Sequence, residues 1–113
     1  MATKTLWIKN KFLNEILRGK KTIEVRVGYK NILELTSGME LLLNNRYKIK
    51  IKDIRRYPNF EVMLENENPN LIVPGMKKDE ILNILKDIYP PSKEKLGVIA
   101  IELWSPFRKP TLL

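Results

Sequence analysis

The sequence contains no cysteine, no histidine and no glutamine. Without cysteine it can form neither a disulfide framework nor a thiolate nucleophile, and without histidine it has neither a Cys/His zinc site nor a Ser-His-Asp triad. Any chemistry must therefore use Lys, Glu, Asp, Ser, Thr or Tyr. We expect no metal and no cofactor.

Long apolar runs are also missing, because no stretch approaches the ~20 apolar residues that a membrane span needs. The N-terminus becomes charged at Lys4 and Lys9, too early for the apolar segment of a signal peptide. The lack of cysteine gives no support for an oxidising compartment. These features predict a mature, soluble, cytoplasmic chain that does not bind membranes.

Basic residues, in contrast, are abundant. The 113 residues include 21 Lys and Arg against 13 Asp and Glu, which gives a formal charge of +8. Residues 1–60 hold 14 basic and 5 acidic residues, whereas residues 61–113 hold 7 and 8. Such a concentrated excess predicts a basic surface that binds a polyanion. The alternatives are a solvated basic surface or the lysine-rich composition of a whole proteome.

The pattern along the chain indicates one α+β domain, with a core at residues 5–104 and a C-terminal tail at 105–113. Alternating and helical periodicities predict strands at 5–9, 21–27, 40–44, 46–56 and 97–104, and helices at 10–18, 58–64 and 79–89. Asn10 is the expected cap of the first helix, and residues 66–75 are expected to be a loop. We expect a small, mostly antiparallel sheet or barrel covered by two or three helices.

The strand at 46–56 follows a turn at Asn44-Asn45 and shows the clearest alternation. One face carries apolar side chains and the other carries Lys48, Lys50 and Lys52. A shift of phase near Asp53 predicts a β-bulge. The lysines could bind an anion such as RNA, with nearby aromatic residues for stacking, or they could protect an exposed edge strand from pairing.

The densest polar segment is Gly19-Lys20-Lys21-Thr22-Ile23-Glu24-Val25-Arg26. Glu24 and Arg26 lie on one face of the predicted strand, about 6.5–7 Å apart. Lys21 has the parity of the apolar residues, so partial burial would lower the pKa of its ammonium group and suit it to act as a base or an anion anchor. The alternative is a surface lysine beside an exposed Glu–Arg ion pair, worth less than ~1 kcal/mol.

The spacing Gly19-x-Lys21-x-x-Glu24-x-Arg26 resembles that of the ASCH domain, a family related to the PUA domains of RNA-modifying enzymes. The similarity extends over residues 5–104. Its further segments are Phe12-Leu13-Asn14-Glu15-Ile16-Leu17, Arg55-Arg56-Tyr57-Pro58-Asn59-Phe60, Asp87-Ile88-Tyr89-Pro90 and Lys93-Glu94-x-x-Gly97-Val98-Ile99-Ala100-Ile101.

The resemblance implies a PUA-like β-barrel of five or six strands, with a cleft beside the motif strand and RNA or nucleotide derivatives as ligands. Some small ASCH proteins remove the acetyl group from N4-acetylcytidine with a Lys, a Thr and a Glu, and another is a ribonuclease. Lys21 matches the lysine. Glu24 stands at the threonine position, and Pro74-Gly75-Met76 stands where the glutamate is expected, so two of the three groups differ.

Three functions follow from these observations. The first is a module that binds RNA or a nucleotide, the second is a hydrolase or ribonuclease with Lys21 and Glu24 as the catalytic pair, and the third is a domain that binds a protein partner. The sequence leaves the oligomeric state open. The candidate ligand-binding residues are Lys20, Lys21, Glu24, Arg26, Lys48, Lys50, Arg55, Arg56, Tyr57 and Tyr89.

Overall fold

The computed structural model describes residues 3–104. Its five strands are β1 (Lys4–Leu6), β2 (Ile23–Val27), β3 (Glu40–Leu43), β4 (Tyr47–Tyr57) and β5 (Val98–Leu103). The described helices are α1 (Asn10–Leu17), α2 (Lys30–Leu33), α3 (Phe60–Asn66), α4 (Pro69–Ile72), α5 (Lys78–Ile88) and α6 (Pro91–Glu94). The expected α+β class is confirmed, with three longer helices and three single turns. The predicted tail at 105–113 lies outside the described residues.

The strands form one sheet in the order β1-β3-β4-β5-β2. The β1–β3 pair is parallel and the other three pairs are antiparallel. The sheet curls into a half-barrel whose edge strands approach each other where the Arg26 side chain donates to the Trp7 carbonyl oxygen at 2.6 Å. In the described part of the chain this side-chain contact takes the place of a β1–β2 ladder, so the PUA-like barrel remains open along one seam.

Two apolar clusters cover opposite faces of the sheet. The first joins strands β1, β3, β4 and β5 to α1 and α2, and the second joins β2 and β5 to α3, α4 and α5. Strand β5 serves both, because Ile99 and Ile101 enter the first cluster and Val98 and Ala100 enter the second. This double burial explains why β5 is apolar on both faces.

The lysine-rich strand lies inside the sheet. Strand β4 lies between β3 and β5, but its residues 47–50 pair with β3 and its residues 51–57 pair with β5. Among the described residues the lysine-rich half therefore has a ladder on the β3 side only, and both interpretations of its lysines stay predictions. Asn44 and Asn45 have φ angles of 51° and 57°, as a tight hairpin turn requires, so the predicted turn is confirmed. The predicted bulge is confirmed between Ile51 and Asp53.

Local corrections concern helix termini. Asn10 is the first residue of α1, and the residue that precedes the helix, Lys9, makes no side-chain cap; the predicted cap at Asn10 is therefore wrong. Asn59 caps α3 by accepting from the Val62 amide at 2.8 Å. The predicted loop at 66–75 contains the single turn α4. No helix in residues 3–104 combines the length and the apolar character needed to cross a membrane.

Candidate functional site

A cleft of about 260 Å³ lies at the open seam of the half-barrel, between the residues after β1, strand β2 and helix α5. The antiparallel register places Glu24 opposite Ile101 and Arg26 opposite Ile99, so both polar side chains lie on the face of the first apolar cluster, at the edge of the sheet. Because no strand pairs with this edge of β2 among the described residues, the two side chains reach the cleft instead of the core.

Lys21 lies buried at the bottom of the cleft. Helix α1 ends at Leu17, and Gly19, with φ of 76°, turns the chain so that Lys21 enters the interior before β2 begins. Only 4% of Lys21 is exposed, and its ammonium donates to the carbonyl oxygens of Ile23 at 2.6 Å and Ile72 at 2.7 Å. The Glu24 carboxylate lies 3.1 Å away. These three acceptors match the three hydrogens of an ammonium group.

The burial of Lys21 confirms the expectation of a desolvated lysine and overturns the surface alternative. Desolvation lowers the pKa of Lys21 below the ordinary lysine value, and the Glu24 carboxylate opposes this shift. Since all three hydrogens already have acceptors, the contact that Lys21 makes in the cleft is to Glu24. The geometry makes Lys21 a residue that positions the carboxylate.

Glu24 and Arg26 form the polar floor of the cleft. Arg26 donates from Nε to Glu24 Oε2 at 2.7 Å and from Nη2 to the Trp7 carbonyl oxygen at 2.6 Å. Its Nη1 makes no hydrogen bond to the described residues and lies on a side chain that is 23% exposed. The floor therefore presents a fixed guanidinium donor beside a carboxylate acceptor.

The side chain of Asn44 fixes the wall opposite β2. It donates to the Ile8 carbonyl oxygen and accepts from the Ile8 amide, both at 2.8 Å, as a paired strand would. This double contact fixes residues 7–9 after β1 has ended, and they line the cleft. Sequence reasoning assigned Asn44 only to the turn. Its position one residue beyond β3, in register with the end of β1, is visible only in three dimensions.

The remaining walls are apolar and aromatic. Ile84 and Ile88 of α5 line the cleft although 37% and 55% of them are exposed, and Trp7 lines it while 63% exposed. Sequence reasoning predicted this helix but selected neither isoleucine as a site residue. The sequence did contain a signal for this, because α5 has five apolar residues and buries only two of them, Ile81 and Leu85.

Tyr89 also lines the cleft, as the sequence predicted. Its ring packs on Phe60, with centroids 5.9 Å apart. Burial raises the pKa of the Tyr89 phenol, and Arg26 opposes the shift, so the hydroxyl is a protonated donor at neutral pH. Of the candidate residues, the structure thus brings together Lys21, Glu24, Arg26 and Tyr89.

Two other candidates, Arg55 and Tyr57, belong to a separate cluster away from the cleft. Arg55 donates to both Glu67 oxygens, at 2.6 and 2.8 Å, and the Tyr57 hydroxyl donates to Glu67 as well. The remaining Nη1 of Arg55 donates to Asp53 at 2.9 Å and to Glu102 at 2.8 Å. This cluster ties the end of α3 to strands β4 and β5.

The other predicted residues lie on separate surfaces. Lys48 and Lys50 are exposed on the face of β4 opposite to Ile49 and Ile51, which enter the first cluster. Lys20 is exposed next to the buried Lys21, and Arg56 is exposed on β4, two strands from Arg26. None of these four is among the described residues that line the cleft.

The catalytic set implied by the resemblance is incomplete here. Both oxygens of Glu24, at the threonine position, are engaged by Lys21 and Arg26. Residues 74–76, where a glutamate is expected, contain no carboxylate. In residues 3–104 no cluster of three or more acidic side chains suits a metal ion.

Comparisons with known proteins agree with this architecture. The family model for the ASCH domain matches residues 6–107. The crystal structure of the hypothetical protein PH0355 is similar with a TM-score of 0.85 and 30% identity, over 90% of this chain and 97% of that one. The solution NMR structure of protein PF0455 from Pyrococcus furiosus has a TM-score of 0.76 and 30% identity, over 90% and 96% of the two chains.

A search of curated proteins finds no match to this chain. The family model covers most of the sequence, and the two structures share both the fold and nearly a third of their residues with it. The predicted family and the PUA-like fold are therefore confirmed: the chain belongs to the ASCH domain family.

Proposed function

We propose that this ASCH domain binds a nucleobase, carried by RNA or by a free nucleotide, in the cleft at the open seam of the half-barrel. The observation that carries the proposal is the floor, where Arg26 Nη1 has no hydrogen bond to the described residues and lies beside the Glu24 carboxylate. A base edge presents acceptors next to N–H donors, so it can accept from Arg26 and donate to Glu24.

The walls support a flat ligand. Trp7 and Tyr89 offer aromatic surfaces, and Ile84 and Ile88 offer apolar contact, as expected of a site in which a few polar groups orient an otherwise apolar ligand. The cleft volume of about 260 Å³ is below the ~300–1,000 Å³ of sites for drug-sized ligands. It therefore suits one base, with the sugar and phosphate outside.

The floor is preorganised for this task. Lys21 fixes one Glu24 oxygen and Arg26 fixes the other, while the Trp7 carbonyl oxygen fixes Arg26. A ligand therefore meets side chains that have already lost their rotamer freedom, which reduces the entropic cost of binding. ASCH membership supports RNA as the source of the base. Trp7 fluorescence can distinguish an RNA strand from a free nucleotide.

The two tryptophans of the chain make a direct test possible. In a Trp104→Phe variant, Trp7 is the remaining reporter, and it lines the cleft. We expect nucleoside monophosphates or a short RNA to quench its fluorescence with saturation. Quenching by monophosphates would show that a free nucleotide is sufficient, whereas quenching by RNA alone would identify the strand as the ligand.

Arg26→Lys in the same background tests the floor. An ammonium group cannot reproduce the guanidinium geometry, and one hydrogen bond to a charged group is worth about 1.5 kcal/mol, so affinity should fall about 10-fold. Arg18→Lys, at an exposed position after α1, is the matched control and should bind like the parent.

The proposal fails if no nucleotide or RNA quenches Trp7 at about millimolar concentration. It also fails if Arg26→Lys and Arg18→Lys have the same affinity. Hydrolysis of N4-acetylcytidine that a Glu24→Gln variant abolishes would replace the binding function with the hydrolase that the sequence left open.

A further inference from the structure

The outer face of β4 carries basic side chains that the cleft does not use. Lys48, Lys50 and Lys52 project from this face, and Trp104 lies beside them because its backbone amide donates to the Lys50 carbonyl oxygen at 3.0 Å. We call these four residues the lysine face. Leu103, just before Trp104, enters the first apolar cluster, so the alternation along β5 directs the indole to the outer face.

Ion pairs with the described residues account for only one of the three lysines of the lysine face. Successive lysines on one face of a strand lie about 6.5–7 Å apart and repel one another. Lys48 and Lys50 form no ion pair with the described residues, whereas Lys52 lies 3.7 Å from Glu102. Protection of a sheet edge could account for a charge at Lys48, where the described ladder runs on the β3 side only, but it does not account for an exposed tryptophan beside the lysines. A row of unpaired like charges is stable next to solvent and becomes favourable next to a row of anions.

The aromatic member favours nucleic acid among polyanions. Trp104 is 47% exposed, and the Lys52 ammonium lies over its ring at 4.7 Å. An exposed ring among lysines provides a stacking surface beside phosphate contacts, which is how sequence-tolerant proteins bind single strands. A membrane surface would require a wider apolar area around the basic residues. Here the cross-strand neighbours of Lys48 and Lys50 are the half-buried Leu42 and Glu40.

We propose that the lysine face binds the sugar–phosphate backbone of a single-stranded nucleic acid, with Trp104 stacked on one base. The surface lies on the opposite face of the sheet from Glu24 and Arg26, because Lys48 and Lys50 alternate with residues of the first cluster, to whose face the cleft residues belong. The proposal goes beyond the function proposed for the cleft and does not depend on which ligand the cleft binds.

Salt dependence tests the phosphate contacts. The full chain is titrated with a fluorescent single-stranded RNA of about 16 nucleotides, from about 50 to 200 mM salt, and the slope of log K against log salt is compared among variants. Each lost phosphate contact on a single strand makes the slope shallower by about 0.7, so Lys48→Ala/Lys50→Ala should make it shallower by about 1.4.

Lys77→Ala/Lys78→Ala is the matched control, because it removes two exposed lysines near the start of α5 and the same formal charge. Its slope should equal that of the unmodified chain. Urea unfolding of both double variants verifies that they are folded. Equal slopes for the two double variants would overturn the proposal, since net charge alone would then explain the binding.

Fluorescence distinguishes the two surfaces. In a Trp7→Phe variant, Trp104 is the remaining tryptophan, and the RNA should quench it while a nucleoside monophosphate should not. Quenching by the monophosphate, or none by the RNA, would overturn the assignment of Trp104. Equal affinity for poly-glutamate or for anionic lipid vesicles, with the same loss in Lys48→Ala/Lys50→Ala, would replace nucleic acid with a different partner. Failure of the cleft proposal would appear separately, in the Trp7 reporter.

Discussion

In residues 3–104, Glu24 and Glu67 each pair with an arginine and have only 12% and 4% of their side chains exposed. The two pairs differ in which nitrogens of the arginine remain free to donate. At the seam, Arg26 uses Nε and Nη2 and leaves Nη1 facing a cleft. At the end of α3, Arg55 donates from all three of its nitrogens, and its partner Glu67 has only 4% of its side chain exposed. Arg26 therefore has one nitrogen that donates to no described residue, whereas every nitrogen of Arg55 already donates to a carboxylate.

This difference arises from the neighbours, since the residue types are the same. Glu67 accepts hydrogen bonds from Arg55 and Tyr57. Arg55 also donates to the carboxylates of Asp53 and Glu102, so these side chains connect α3 to the sheet. Glu24 forms ion pairs with Lys21 and Arg26 at the edge of β2, with which no further strand pairs within residues 3–104. The first arrangement connects parts of the fold, and the second fits the ligand-binding role that we propose for the cleft.

The largest expected effect comes from Lys21→Met. Loss of the ammonium leaves the carbonyl oxygens of Ile23 and Ile72 without a donor and removes one partner of the largely buried Glu24. We expect the free energy of unfolding to fall by about 3 kcal/mol, measured by urea denaturation. Nucleotide quenching of Trp7 should also weaken, because Glu24 loses its fixed position.

Lys20→Met is the control for this change. It makes the same chemical substitution at the preceding, exposed residue, so the free energy of unfolding should change by less than about 0.5 kcal/mol. Equal stability of the two variants would contradict the structural role assigned to Lys21. Loss of stability with full nucleotide affinity would show that Lys21 supports the fold and does not position Glu24.

Glu67→Gln should have the next largest effect, about 2 kcal/mol in the free energy of unfolding. The amide keeps one acceptor but cannot match both Arg55 nitrogens, and the Arg55 side chain, 31% exposed, recovers part of the loss from water and from its other carboxylates. Asp53→Asn, at the exposed end of the same cluster, should cost less than about 1 kcal/mol. Nucleotide quenching of Trp7 should remain at the level of the parent.

A matching loss of nucleotide affinity in Glu67→Gln would contradict the separation of the two clusters. It would indicate that the tie between α3 and the sheet controls the cleft through α4, whose Ile72 carbonyl oxygen accepts from Lys21. Urea denaturation and Trp7 fluorescence on the same samples distinguish the two results.

Much of the fold could be predicted from local patterns. The alternation in β2 and β4 and the Asn44-Asn45 turn depend on neighbouring residues, and both are confirmed. Sheet order depends on contacts distant in sequence. The pattern of the lysine strand therefore could not show that its first half would pair with β3 and its second half with β5. The predicted cap at Asn10 was wrong because α1 begins one residue earlier than the pattern indicated, which puts Lys9 at the cap position.

The site was predictable only in part. The motif spacing identified Lys21, Glu24 and Arg26, because strand parity places two of them on one face and directs the third inward. The walls were not predictable, since Trp7 and Ile88 reach the cleft only when the edge strands approach each other. The same spacing argument could not show that Arg55 and Tyr57 would both donate to Glu67, because Glu67 lies at the end of α3 and is distant from the motif in sequence.

The smallest expected effect is a difference in pH dependence between the two Glu–Arg clusters. Burial alone would raise the pKa of Glu67, but hydrogen bonds from Arg55 and Tyr57 outweigh it and hold the pKa below the ordinary glutamate value. The unfolded chain then binds more protons than the folded one near pH ~4.3, so this stabilisation is complete above that pH and is lost as the pH falls through the folded-state pKa.

Urea denaturation between about pH 6 and pH 3 should therefore show the stability gap between the unmodified chain and Glu67→Gln narrowing as the pH falls. Other carboxylates with lowered pKa, such as Asp53 and Glu61, are present in both proteins, so most of their contribution cancels in the gap. Tyr57→Phe removes one of the two residues that donate to Glu67. The stability gap between Tyr57→Phe and Glu67→Gln should therefore narrow less as the pH falls. A gap that stays constant with pH would mean that Glu67 stabilises the fold by packing and shape, and the contrast between a fully engaged carboxylate and an accessible one would then lose its electrostatic basis.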